Sequence, residues 1–216
     1  MMEELLPPCA AVAERRNDDE PALLFAEEQT QVARAVASRV REFATGRSCA
    51  RRALEKLGFA PCPILRGPKG EPVWPAGVIG SITHCAGYRA AAVARQEQLA
   101  AIGIDAEFHA PLPAGVADIV CDAEETAWLK QVSGGVHWDR VLFSAKESVY
   151  KAWFPMTQRW LDFTDVAITV DPAEGEFRVR PVVSLQGEFD RALRQFQGRF
   201  LVRDGIVMTT VVLSRP

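Results

Sequence analysis

Apolar side chains recur at three- and four-residue steps between Ala26 and about Gly58, through Val32, Val36, Val40, Phe43, Ala50, Leu54 and Leu57. That is the period of an amphipathic helix, and Gly46 is expected to divide the stretch into two. The segment 66–72 has two glycines and two prolines in seven residues, a composition that sets backbone angles regular elements do not hold. Short strand-like runs follow at residues 78–83, 89–94 and 100–106, and then Pro111-Leu112-Pro113 punctuates the chain. The second half repeats the order: helices near 122–131 and 138–154, then strand-like runs at 164–170, 176–180, 199–202 and 206–213. Helices first and strands after, twice over, predict an α+β chain of two similar lobes, residues 1–110 and 111–216, with the active site between them. Residues 1–25, acidic and proline-containing, read as a lead-in with little structure of its own.

Composition narrows the class. The 216 residues are 48% hydrophobic and 25% charged, which is globular and neither disordered nor fibrous. Five cysteines (Cys9, Cys49, Cys62, Cys85, Cys121) form no CxxC pair, so reduced thiols are expected and neither a disulfide framework nor a thiolate zinc site. No run approaches the ~20 apolar residues of a membrane span, and the first residues lack a basic patch followed by an apolar stretch, so a soluble cytoplasmic protein is expected. The formal net charge of −3 argues against a general nucleic-acid binder. It hides an asymmetry, because residues 31–70 carry nine basic side chains against two acidic ones, a local +7 that leaves −10 for the rest. An anionic ligand would be welcome there.

Four constellations can carry chemistry. In Ile102-Gly-Ile-Asp-Ala-Glu107, strand alternation places Gly103, Asp105 and Glu107 on one face. Two carboxylates that close are costly unless a cation joins them, and hard oxygen ligands suit Mg²⁺. In Phe143-Ser-Ala-Lys-Glu-Ser-Val-Tyr-Lys-Ala-Trp153, Glu147 and Lys151 lie one helical turn apart, a third carboxylate beside a lysine. Gly80-Ser-Ile-Thr-His-Cys85 offers the Thr83 hydroxyl and the His84 imidazole at a strand end. Arg39, Phe43 and Arg47 share a helix face, and with Arg66 and Lys69 they offer donors that match phosphate oxygens.

Three of these motifs, in this order and spacing together with the 66–74 turn, resemble the 4′-phosphopantetheinyl transferases. The match is to the larger, monomeric, two-lobed branch that activates siderophore, polyketide and non-ribosomal peptide synthases, and it covers roughly residues 39–161. The resemblance implies transfer of the phosphopantetheine arm of coenzyme A to a serine of an acyl or peptidyl carrier protein, with release of adenosine 3′,5′-bisphosphate. It implies Asp105, Ala106, Glu107 and Glu147 at a Mg²⁺ site, with Mn²⁺ the other candidate metal. Glu147 would be the base toward the carrier serine and Lys151 the group that stabilises the departing phosphate. Arg39, Arg47, Arg66, Gly67, Pro68, Lys69, Ser81, Thr83, His84 and Leu161, with Asp105, Glu147 and Lys151, would contact the coenzyme. Phe143 stands where many relatives carry tryptophan. The competing readings are a Mg²⁺-dependent phosphohydrolase or nuclease on the same carboxylates, and a coenzyme A-binding regulatory module without turnover.

Overall fold

The computed structural model describes residues 1–16, 22–182 and 188–215. The elements are β1 (Ala11–Arg15), α1 (Ala26–Val32), α2 (Ala37–Lys56), β2 (Val78–Cys85), β3 (Tyr88–Arg95), β4 (Leu99–Phe108), α3 (Val116–Val120), α4 (Ala123–Leu129), α5 (Trp138–Thr157), β5 (Val166–Asp171), β6 (Glu176–Pro181), α6 (Glu188–Arg194), β7 (Gln197–Arg203) and β8 (Ile206–Ser214). They form two antiparallel sheets, β1-β3-β2 and β4-β8-β7-β6-β5. Each sheet carries one 20-residue helix, α2 on the first and α5 on the second, so the chain is α+β with two lobes of like build.

Side-chain alternation turns these parts into four layers. Ala91 and Val93 of β3 pack under α2 with Ala50, Ala53 and Leu54, while Tyr88, Ala90, Ala92 and Ala94 face the second sheet. There they meet Ile102, Ile104 and Ala106 of β4 and Met208 and Val212 of β8. The other face of the second sheet, including Val207 and Val211, packs against Leu142, Ala145, Val149 and Trp153 of α5. A central strand buried on both faces needs small side chains, which accounts for the alanine run of β3. Strand β4 stands on the N-terminal side of the division expected at residues 110/111, and its backbone hydrogen bonds run to β8 of the second sheet.

Three expectations are corrected. The break in the first helical stretch lies at residues 33–36, where Val36 turns extended (ψ 153°) ahead of α2, and Gly46 sits inside an unbroken helix. The N-terminal segment is not structureless. Residues Met2–Leu5 form a 3₁₀ turn with Met2 fully buried, and Ala11–Arg15 pairs with β3. Residues 17–21 of that segment lie outside the described residues. The strand expected at 164–170 begins at Val166, after a 3₁₀ turn at Phe163–Asp165.

Candidate active site

The site forms where β2, β4 and α5 meet. Gly103 lets α5 lie against β4: a Cβ there would come within 2.7 Å of the Ala152 nitrogen and closer still to the Ser148 carbonyl oxygen. Asp105 shares that face and is 3% exposed. Its Oδ1 accepts from Lys151 Nζ at 2.6 Å and from the Thr83 hydroxyl at 3.2 Å, and its Oδ2 accepts from the Ser144 hydroxyl at 2.7 Å. Ser144 is held in turn beside Thr209 of β8, 2.9 Å between the hydroxyl oxygens. Glu107 accepts from Arg140 at 3.0 Å, and Arg140 also donates to the carbonyls of Ala110 and Pro111, tying the β4 end to α5.

The charges are strained in a consistent direction. Burial, reinforced by the neighbouring Asp105 charge, raises the Glu107 pKa above the ordinary carboxylate range despite Arg140 and Lys151. Burial does the same for Glu147 against the pull of Lys151. For Lys151 burial alone would lower the pKa, but the attraction of Asp105, Glu147 and Glu107 raises it, so the ammonium persists. Among the described residues no three His, Cys, Asp or Glu side chains stand close enough to enclose a metal ion as placed. The donor set still fits a hard divalent cation, since it is all oxygen and its carboxylates carry charge that a cation would relieve.

Two cavities adjoin Glu147 and Tyr150. One, of about 200 Å³, lies between the lobes and is lined by Lys69, Glu71, Gly80, Ile82, Lys151 and Phe154. The other, of about 140 Å³, is largely apolar, with Trp160, Leu161, Phe163 and Val166 in its wall. Leu161, Lys69, Ser81, Glu147 and Lys151 are thus brought to one region.

The remaining expected residues have distinct placements. Ser81 and Thr83 are buried at the lobe seam, where their hydroxyls accept from the amides of Ile104 (3.1 Å) and Ala106 (2.9 Å). Ala106 itself is fully buried. Arg66 and Pro72 close the turn as an isolated bridge, with the Gly67 amide on the Glu71 carbonyl and the Lys69 amide 2.9 Å from the Glu71 carboxylate, and Pro68 within it. Arg39 lies beside His84 and Glu42. Arg47 is only 6% exposed: its Nε donates to the Ile64 carbonyl at 2.6 Å and its guanidinium stacks 4.2 Å over Phe43. Burial, with repulsion from Arg66, Arg51 and Arg39, lowers its pKa to about 10 against the attraction of Glu28.

Sequence reasoning missed the supports of the site. Glu28, fully buried, accepts from Arg51 (2.8 and 2.9 Å), from the Ile64 amide (2.9 Å) and from the Phe25 amide (3.0 Å), and Gln31 accepts from the Arg66 amide. Helix α1 thereby anchors the basic turn. Lys146 is 1% exposed and spends its three protons on Glu125 and the carbonyls of Val120 and Phe163, fixing α5 to its neighbours. Their one sequence signal is a charged residue at an inward helical position, which a surface ion pair also gives.

Two family models match consecutive parts of the chain: the 4′-phosphopantetheinyl transferase N-terminal domain over residues 27–94 and the 4′-phosphopantetheinyl transferase superfamily over residues 101–210. The chain belongs to this superfamily and is an enzyme of that class. Within it, the relatives are of the larger type. The transferase Svp of Streptomyces mobaraensis is 49% identical over 92% of this chain and 82% of its own length. PptT of Mycobacterium tuberculosis is 45% identical over 94% and 92%, and Npt of Nocardia iowensis 43% identical over 99% and 100%.

Proposed function

We propose that the enzyme transfers the 4′-phosphopantetheine moiety of coenzyme A to a serine hydroxyl of an acyl or peptidyl carrier protein and releases adenosine 3′,5′-bisphosphate. The observation that carries this reading is the Asp105–Lys151 pair at 2.6 Å, set beside Glu147 where the two cavities adjoin. The basic turn with Arg66 and Lys69, together with Arg39 and His84, would hold the nucleotide phosphates. The apolar cavity walled by Leu161 and Trp160 suits the uncharged arm.

In the transfer, the serine oxygen bonds to the phosphorus that carries the arm, and the bond from that phosphorus to the bridging diphosphate oxygen breaks. Glu147 takes the serine proton; its raised pKa makes it a better base than an ordinary carboxylate. Lys151, held charged by three carboxylates, offsets or protonates the departing phosphate. Asp105 and Thr83 fix where the ammonium points. Asp105, Glu107 and Glu147 would hold Mg²⁺, which when bound offsets the diphosphate charge. The reaction is assigned to a monomer in the cytoplasm; among the described residues no helix is long and apolar enough to cross a membrane.

Incubation with coenzyme A, Mg²⁺ and an unmodified carrier protein tests the proposal. Peptide mass mapping should place one phosphopantetheine on a carrier serine, and EDTA should stop the reaction. Carriers that stay unmodified across several families would overturn it.

A further inference from the structure

Glu42 is an acidic residue inside the basic segment, one turn from Arg39 on α2, and the phosphate-binding reading gives it no task. Its carboxylate accepts from Arg39, and its Oε1 stands 3.1 Å from Nδ1 of His84 at the end of β2. The same oxygen is 3.7 Å from Nη2 of Arg89 on β3. On the other side of the ring, Nη1 of Arg39 is 3.0 Å from His84 Nε2.

These contacts assign the tautomer. A guanidinium only donates, so Nε2 holds a lone pair; a carboxylate only accepts, so Nδ1 carries the hydrogen. The ring is therefore neutral. Burial, with Arg39, Lys151 of α5 and Arg89 as the facing cations, keeps its pKa below the ordinary imidazole value against the attraction of Glu42. Cys85, next along β2, lies on the opposite face of the strand with Tyr88, against the second sheet; its thiol is pushed up to about 12 by burial and the neighbouring carboxylates and adds no charge.

A phosphate dianion only accepts. If His84 holds a phosphate oxygen through Nε2, that nitrogen must change from acceptor to donor while Nδ1 stays bonded to Glu42. We propose that Glu42 is a positioning residue that makes His84 a proton-coupled phosphate clamp: on coenzyme binding Arg39 leaves the ring, Nε2 takes one proton from solvent, and Glu42 stabilises the imidazolium through Nδ1. The one covalent change is the new N–H bond. This inference rests on the coenzyme-binding reading given above. Coenzyme affinity then falls about tenfold per pH unit between the pKa values of the free and the bound ring.

Calorimetric titration of the enzyme with coenzyme A at pH 7, with Mg²⁺ present, in two buffers of different ionisation enthalpy (HEPES and Tris), counts the protons. The wild type should take up about half a proton or more per coenzyme. Glu42→Gln keeps an acceptor on Nδ1 without its charge; it should show less than half the wild-type uptake and weaker binding at pH 7 that recovers toward pH 6. It should still melt in one cooperative transition, since Gln keeps the shape and an accepting oxygen and Glu42 belongs to none of the buried cores. His84→Asn should bind with no uptake. Binding without uptake by the wild type, or equal uptake by Glu42→Gln, would overturn the clamp alone. No binding of coenzyme A at all would overturn the functional reading and the clamp with it.

Discussion

Glu147 and Lys151 sit one turn apart on α5, and their surroundings give them opposite tasks: burial makes the carboxyl more basic, and the acids around the ammonium keep it charged against burial. Glu147→Gln should lower kcat by about 10²- to 10⁴-fold, the usual worth of a general base, while calorimetric affinity for coenzyme A changes little. Because the working form is the carboxylate and its pKa is raised, kcat should fall as pH drops through a value above the usual ~4.3, a limb that a stopped-flow pH series would show. The pairing of Asp105 with Glu107 was readable from strand alternation, and the Glu147–Lys151 spacing from helical geometry. For Arg47 the helical spacing set Phe43 on the same face, and only the fold reveals that the Ile64 carbonyl, from beyond the helix, takes its guanidinium inward. Glu28, Glu42 and Arg140 stayed hidden for the same reason: the partners that give them a role in the site, Arg51, His84 and Glu107, lie 23, 42 and 33 residues away, beyond any local pattern.

At the level of elements, hydrophobic period located α2, α5 and the strands, and it failed where packing overrides propensity. Gly46 reads as a helix breaker, yet α2 passes through it because the helix is held along its length by the first sheet. A Cβ there would meet Ile82 Cγ2 at 3.4 Å, an ordinary contact. Gly46→Ala should therefore stabilise by about 0.5–1 kcal/mol in urea denaturation. Gly103→Ala should do the reverse. Its methyl group would push α5 off β4, costing about 1–3 kcal/mol or more and displacing Glu147 and Lys151, so activity should fall together with melting temperature. The N-terminal strand escaped notice because β1 is short and alanine-rich, and its partner β3 lies more than 70 residues further on.

For the whole molecule, the layers α2, first sheet, second sheet, α5 depend on contacts between distant segments. One is Glu14 of β1, which accepts from the fully buried Tyr88 hydroxyl at 2.6 Å and from the Met2 amide at 3.0 Å. Burial would raise the Glu14 pKa, but these hydrogen bonds outweigh it and hold it below the ordinary value. A depressed carboxylate pKa contributes stability that is complete above the unfolded value and is lost as pH falls through the folded one. Tyr88→Phe should cost about 1.5–3 kcal/mol at pH 7 and progressively less below about pH 4, as measured by urea denaturation across that range. The net charge of −3 likewise gains meaning only with the chain folded, since part of the +7 segment is consumed in anchoring and part surrounds the proposed phosphate site. The central claim, that this site joins an arm of coenzyme A to a carrier serine, is tested most directly by quenching one reaction at intervals and measuring carrier mass and adenosine 3′,5′-bisphosphate together. The account predicts one bisphosphate released for each phosphopantetheine gained; bisphosphate released without any gain in carrier mass would contradict it.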